Sequence, residues 1–315
     1  MQKLIKGLHH VTAITGDAQE NIDFYTGILG FRLVKKTVNF DNAGVYHLYF
    51  GNEHGDPGSL MTTFPYGKGL RAGRDGKGKL NTTAFSVDIN ALDYWTSRLD
   101  HFHIAYRHPQ ERFSGEVFIY LEDYDGLGLE LVFTGTDIRQ GYGGGPVPGP
   151  YAIKGLHHVE IWLESYERTA ALLTRQMDHI AIAEASDRFR FAVADAPGKY
   201  VDLLCAPHEL RGLQGRGMVH HIAFATPDAP SQLEMMDRLE RLGIRHTGMK
   251  DRKYFTSVYF TEPGGVLFEI ATTGPGFSVD EDIALLGHGL MLPESLEEMR
   301  THLEETLPPI NYSQK

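Results

Sequence analysis

The chain has 315 residues, 42% of them hydrophobic and 23% charged, which is the composition of a globular protein with room for two domains. Its formal net charge of -11 argues against nucleic acid and anionic membranes as partners, because both attract basic surfaces. Cys205 is the only cysteine, so an intrachain disulfide is excluded. We also see no signal peptide and no apolar run of the roughly 20 residues that a membrane helix needs. We therefore expect a cytoplasmic protein.

A short apolar motif with two adjacent histidines occurs three times along the chain. The copies are Gly7-Leu8-His9-His10-Val11, Gly155-Leu156-His157-His158-Val159 and Met218-Val219-His220-His221-Ile222. The point half way between the first two copies falls on Ala84, in a strand-like run without histidine. The spacing therefore predicts four repeated units, which begin near residues 7, 81, 155 and 217.

Each unit shows the same order of one strand, one helix and three further strands. In the first unit, Asp17 followed by Glu20 is typical of a helix N-terminus, and Gly30 marks the end of that helix. Each unit then closes with an apolar strand, predicted at Gly58–Phe64, Gly128–Phe133, Tyr200–Cys205 and Gly265–Thr272. A single unit would leave exposed sheet edges, so we expect the units to pair.

The predicted fold class is α+β, with four βαβββ modules paired into two half-barrel domains. Residues 1–150 hold modules one and two, and the glycine-rich and proline-rich segment 141–150 connects them to the rest. Residues 151–275 hold modules three and four. Residues 276–315 form a C-terminal tail with a helix predicted near Pro293–Leu307.

The first strand of a module offers a histidine, and the last strand offers a carboxylate. Because neighbouring side chains on a strand face opposite ways, only one histidine of each pair points into a given cavity. From modules one to four, the first-strand positions are His10, Ala84, His158 and His221, and the last-strand positions are Met61, Glu130, Asp202 and Glu269. Pairing modules one and four collects His10, His221 and Glu269. Two histidines and one carboxylate with open positions are the ligands of non-heme Fe(II) oxygenases.

Other pairings of the modules leave two alternatives open. Modules three and four together would supply His158, Asp202, His221 and Glu269, so His158 could replace His10 as a ligand. Modules two and three would leave His158, Glu130 and Asp202 in a degenerate second site. The ligand set also does not separate Fe(II) from Mn(II), which use the same side chains.

The motifs together resemble those of the vicinal oxygen chelate superfamily. The resemblance rests on the βαβββ repeats, on the Leu-His-His-Val opening and on Glu262-Pro263-Gly264-Gly265 followed by Glu269. Within that superfamily the chain is similar to the ring-cleaving dioxygenases that open para-hydroquinones, through segments that are more specific. These segments are Val45–Phe50, Pro57–Pro65 and Leu307–Pro309.

This resemblance implies an Fe(II)-dependent dioxygenase that opens a small hydroquinone-type ring with O2. It implies His10, His221 and Glu269 as the metal ligands. It also implies that five further residues contact the substrate or support the ligands, namely His9, Thr12, His220, Arg252 and Tyr259. Among these, Tyr259 is expected to donate a hydrogen bond to a substrate oxygen, and Arg252 to pair with a phenolate or carboxylate.

Three other functions remain open on the sequence alone. They are a catechol-type extradiol dioxygenase that uses His158, a glyoxalase-like isomerase or lyase that needs a metal but no O2, and a non-catalytic binding protein. The ring substituents of the substrate and the oligomeric state, including a homo-oligomer, are also open.

Overall fold

The structure, a computed structural model, describes residues 3–113, 115–193 and 198–312. It contains four modules in the predicted βαβββ order. Module one consists of β1 (Leu8–Thr15), α1 (Ala18–Ile22), β2 (Arg32–Asn39), β3 (Asn42–Gly51) and β4 (Leu60–Pro65). Module two consists of β5 (Lys79–Asp88), α2 (Leu92–His101), β6 (Gln110–Arg112), β7 (Glu116–Glu122) and β8 (Gly128–Thr134). Module three consists of β9 (Gly155–Leu163), α3 (Glu167–Gln176), β10 (His179–Ala185), β11 (Arg188–Val193) and β12 (Tyr200–Cys205). Module four consists of β13 (Met218–Thr226), α4 (Ala229–Arg241), β14 (Lys250–Asp251), β15 (Thr256–Thr261) and β16 (Leu267–Thr272).

The first helix begins where its sequence predicts. The carboxylate of Asp17 accepts hydrogen bonds from the backbone N–H groups of Gln19 and Glu20, which have no partner inside the helix. After α1 the chain continues as a wider π-helical segment, Asp23–Ile28, and Gly30 then turns it with a φ of +77°. The apolar spacing in so short a segment does not distinguish these two helix types, so the π-helical segment was not predicted.

The described strands form two eight-stranded sheets. Sheet one has the order β14-β15-β16-β13-β1-β4-β3-β2, and sheet two has the order β10-β11-β12-β9-β5-β8-β7-β6. Sheet one thus joins modules one and four through the antiparallel pair β1 and β13, and sheet two joins modules two and three through β5 and β9. The predicted α+β fold with two half-barrels is confirmed. The division of the chain at residues 150 and 275 stays a prediction, and each sheet takes one module from either side of residue 150.

The C-terminal tail packs on sheet one. It contains short 3-10 turns and the helix α5 (Arg300–Thr306), which lies inside the range predicted for it. Lys35 of β2 is completely buried, and its ammonium group pairs with the carboxylates of Asp280 and Glu281 in the tail. Residues 313–315 of the predicted tail lie outside the described residues.

No helix in the described part of the chain is long and apolar enough to cross a membrane.

Candidate metal centre

The pairing of β1 with β13 brings two histidines from opposite ends of the chain onto one face of sheet one. His10 lies across from Ala223, and His221 lies across from Thr12. Because residues two apart on a strand face the same side, both imidazoles point into the same half-barrel. Glu269 of β16 also lies beside Ala223, so its carboxylate joins them.

Three ligand atoms converge on one point. Nε2 of His10 and Nε2 of His221 are 3.2 Å apart. Oε2 of Glu269 lies 3.3 Å from the first nitrogen and 2.9 Å from the second. All three side chains are buried, with 3% or less of each residue exposed. The sequence left His10 and His158 open as partners of His221 and Glu269, and the structure brings His10 to them.

These three residues fit a bound metal ion. Three ligands at right angles, each roughly 2.1 Å from an ion, would place their atoms about 3.0 Å apart, which is close to the distances observed. In addition, Oε2 of Glu269 is buried yet makes no hydrogen bond of good geometry with the described residues. A buried carboxylate oxygen that faces two imidazole nitrogens without a well-formed hydrogen bond is costly, and a cation between them would satisfy it.

The charge states of these side chains also suit a metal. Burial lowers the pKa of His221, which favours the neutral imidazole that a metal ligand requires. Burial alone would raise the pKa of Glu269, but His10 and His221 outweigh this effect and hold the pKa well below its ordinary value. The group is therefore a carboxylate. Ser257 donates a hydrogen bond to its other oxygen, Oε1, and so fixes the orientation of the carboxylate.

The first histidine of each pair touches the second one. Nδ1 of His9 lies 2.8 Å from Nδ1 of His10, and Nδ1 of His220 lies 2.7 Å from Nδ1 of His221. For Nε2 of His10 to hold a free lone pair, its proton must be on Nδ1, where His9 can accept it. Such a partner fixes both the tautomer and the ring orientation of a ligand histidine. His9 is buried, whereas His220 is exposed at the mouth of a cavity.

That cavity has a volume of about 370 Å³ and opens directly beside His10 and His221. Tyr259 lines it and lies directly across from Glu269 on the neighbouring strand. Arg252 donates from Nε to the hydroxyl of Tyr259 (3.3 Å) and from Nη2 to Asp41, which also lines the cavity (2.7 Å). The apolar part of the wall is mainly aromatic and includes Phe40, Phe64, Tyr66 and Phe255.

Thr12 does not face solvent but lies beside the ligand atoms. Its hydroxyl is 2.9 Å from Nε2 of His221 and 2.7 Å from the hydroxyl of Thr62. All five residues that the resemblance implied around the metal thus lie in or next to this site.

The sheet register corrects two of the positions that the sequence assigned to the first and last strands. In module four, Glu269 pairs with Ala223, the residue two positions after His221. In module one, the residue two positions after His10 is Thr12, and its partner on β4 is Thr62, not Met61. In module two, Glu130 pairs with Ala84, so the counterpart of His10 is the residue two positions earlier, Thr82, and not Ala84 itself. Ala84 was wrong because halving the spacing assumes modules of equal length and regular strands, whereas β5 and β9 shift register twice. Met61 was wrong because the sequence pattern does not fix the register of β4 against β1. The ligand set is unaffected, because Met61 and Ala84 were assigned no role.

Comparison with known proteins agrees with this architecture. A model of the Glyoxalase/Bleomycin resistance protein/Dioxygenase superfamily matches residues 7–131 and 155–270, which is most of the chain. The protein belongs to this superfamily. The family that the sequence motifs indicated is therefore confirmed.

Several members of the superfamily are similar to this chain over nearly its full length. "Putative ring-cleaving dioxygenase MhqO" of Bacillus subtilis (strain 168) is 42% identical over 309 residues, which cover 98% of each chain. A chlorohydroquinone/hydroquinone 1,2-dioxygenase of Sphingobium indicum is 34% identical over 312 residues, which cover 96% of each chain. The crystal structure of a putative dioxygenase from Bacillus subtilis matches with a TM-score of 0.93 at 41% identity and covers all of both chains. Glyoxalase I from Zea mays, at 16% identity and a TM-score of 0.65, shares the fold.

Sheet two also pairs two modules, but different side chains occupy its centre. Nε2 of His158 lies 3.5 Å from Glu130 and 3.8 Å from Asp202, as the degenerate second site predicts. Arg112 binds the carboxylate of Glu130, however, and Arg190 binds both oxygens of Asp202, at 2.7 Å and 2.8 Å. Guanidinium groups thus neutralise the carboxylates there, and their positive charge opposes a metal cation.

Sequence reasoning gave no role to three polar side chains near the centre, namely Ser257, Thr62 and His47. The signal for Ser257 was its even spacing from Tyr259 on one strand, which places both on one face. The signal for Thr62 would have been its register with Thr12. His47 alternates with Tyr49 on β3 and lines the cavity, but it has no counterpart among the repeated histidine pairs.

Proposed function

We propose that this protein is a metal-dependent dioxygenase that opens hydroquinone-type aromatic rings with O2. His10, His221 and Glu269 are the proposed ligands, Fe(II) is the proposed metal, and Mn(II) is the alternative. The observation that carries the proposal is the convergence of two imidazoles and one carboxylate at the floor of an aromatic-lined cavity. The names of the similar proteins from Bacillus subtilis and Sphingobium indicum support it.

A metal ion held by these ligands would act as a Lewis acid toward a phenolic oxygen and as a template for O2. The walls of the cavity would bind the aromatic ring and exclude water. The ring centroids of Phe255 and His10 are 5.3 Å apart. Phe255 and Phe64 together form an apolar surface against which an aromatic ring can lie. These rings also limit the water that reaches the reacting atoms.

Arg252 and Tyr259 would orient the substrate oxygens. Burial and the nearby charge of Glu269 raise the pKa of Tyr259, so its hydroxyl stays protonated and can donate a hydrogen bond. Arg252 brings a fixed positive charge beside that hydroxyl and suits a phenolate or a developing carboxylate. The two groups therefore stabilise negative charge on substrate oxygen during ring opening.

Oxygen consumption tests this function. Protein loaded with Fe(II) under anaerobic conditions should consume about one O2 per hydroquinone and remove the aromatic absorbance, and it should react more slowly with catechol. His10→Gln should abolish the uptake, whereas the matched change His158→Gln in sheet two should preserve it. Faster uptake with catechol, or loss of uptake in His158→Gln alone, would favour the catechol-type enzyme. Metal binding without any O2 uptake would favour a glyoxalase-like reaction.

A further inference from the structure

In sheet two, an arginine on β6 reaches the centre of the half-barrel. Glu130 on β8 pairs with Tyr120 on β7, and two residues earlier Phe118 pairs with Gln110 on β6. Arg112, two residues after Gln110, stacks on Phe118 with its guanidinium carbon 3.7 Å from the ring centroid. Its Nη2 binds the carboxylate of Glu130. An arginine at this position can therefore reach the carboxylate of the last strand.

Module four has an arginine at the equivalent position. Glu269 on β16 pairs with Tyr259 on β15, and two residues earlier Ser257 pairs with Lys250 on β14. Arg252 follows Lys250 by two residues, as the β6 arginine follows its own paired residue. By this equivalence Arg252 can also reach Glu269, but in the structure its Nε donates to the hydroxyl of Tyr259 instead, at 3.3 Å.

Asp41 holds Arg252 away from the centre. It lies in the turn between β2 and β3 of module one, and its Oδ2 accepts a hydrogen bond of 2.7 Å from Nη2 of Arg252. This bond keeps the pKa of Asp41 below its ordinary value, so the acceptor is a carboxylate near pH 7. The side chain of Arg252 is only 15% exposed. The choice between Asp41 and Glu269 therefore decides where a largely buried positive charge lies.

A longer hairpin in module one supplies this acceptor. His47 of module one and Arg188 of module three are equivalent, because each comes two residues before the residue that pairs with the last-strand position. Arg188 pairs with Ala185, so the module-three hairpin closes at once. His47 pairs with Thr37, and the module-one hairpin continues through residues 38–46. This extension lines the cavity of sheet one, and the described residues of sheet two include no counterpart to it.

We propose that Asp41 is a positioning residue that keeps Arg252 off Glu269 and so keeps the centre of sheet one free for a metal ion. A guanidinium group on Glu269 would occupy the carboxylate with a charge-assisted hydrogen bond and would bring a second positive charge to the place of the cation. Both effects oppose metal binding. The inference rests on the proposed function, because it concerns the same metal centre.

Fe(II) affinity tests this role without turnover, by anaerobic competition with a chelator of known affinity. Asp41→Ala removes the acceptor, so Arg252 should bind Glu269 and weaken Fe(II) binding by about 10-fold, the low end for groups that support metal ligands. Glu53→Gln is the matched control and should leave the affinity unchanged. Glu53 is a similarly exposed carboxylate of module one, and it pairs with Arg32 at 3.2 Å.

A second substitution separates positioning from a structural role. Arg252→Met removes the competing cation, so this variant should bind Fe(II) at least as tightly as the wild type. Adding Asp41→Ala to Arg252→Met should then have no further effect. If Asp41→Ala weakened Fe(II) binding equally in both backgrounds, Asp41 would act through the fold of the hairpin, and the positioning role would be wrong.

A crystal structure of metal-free Asp41→Ala would show the arginine directly. Its guanidinium group should lie on Glu269, as that of Arg112 lies on Glu130. An Arg252 that stays in its wild-type position, or an unchanged Fe(II) affinity in Asp41→Ala, would overturn the positioning role alone. A wild-type protein that binds no Fe(II) would overturn the proposed function and this inference with it.

Discussion

At the scale of single residues, His9 shows how a side chain that does not reach the metal can control the site. Its Nδ1 faces Nδ1 of His10, and it also bonds the backbone carbonyl of Thr272. We expect His9→Leu to weaken metal binding by about 10- to 100-fold, because His10 loses the partner that fixes its tautomer and orientation. Competition with a chelator of known affinity would measure this loss.

The second histidine pair of the chain provides the control for that prediction. His157 and His158 have the same contact, 2.9 Å between their Nδ1 atoms, but they lie in sheet two beside arginines. His157→Leu should therefore leave metal affinity unchanged. If His9→Leu also left the affinity unchanged, the proposed tautomer of His10 would be wrong.

At the scale of elements, the C-terminal tail is fixed to β2 by a buried charge. Lys35 donates to Asp280, to Glu281 and to the carbonyl of Phe277. Lys35→Met leaves two largely buried carboxylates without this cation, so we expect a loss of about 3 kcal/mol of unfolding free energy. Amide hydrogen exchange in residues 277–312 should become faster, because the tail loses its attachment.

Neutralising the partners should reverse much of that effect. The triple variant Lys35→Met, Asp280→Asn, Glu281→Gln removes the cation together with the two carboxylate charges that it contacts. It should be more stable than Lys35→Met alone. If Lys35→Met were as stable as the wild type and its tail exchanged no faster, the ion pairs would not be what holds the tail.

The elements of this fold could be predicted because each module repeats the same apolar pattern. The three copies of the histidine pair marked first strands, and Glu269 followed a turn motif that ends the last strand. Strand register could not be predicted as well, since Thr62 and Thr82 occupy the positions that the sequence analysis gave to Met61 and Ala84. A one-residue shift on a strand reverses the face of a side chain, so such errors decide which residues enter the site.

At the scale of the whole molecule, the two sheets have the same architecture but carry different side chains at their centres. In sheet one, Thr62 occupies the strand position equivalent to that of Glu269, so there is no second carboxylate beside His10, His221 and Glu269. In sheet two, Arg112 and Arg190 neutralise Glu130 and Asp202. Each arginine lies in the same module as the carboxylate that it binds, on β6 and on β11, but the sequence did not predict these ion pairs because they depend on strand register. The topology therefore joins the two ends of the chain into one centre, and we propose that only this centre binds metal.

Metal content per chain is the most direct test of that claim. Protein loaded anaerobically with Fe(II) and then freed of unbound metal should contain one ion per chain. His10→Gln should contain close to none, and His158→Gln should still contain one. A full metal content in His10→Gln, or a loss of metal in His158→Gln, would contradict the account.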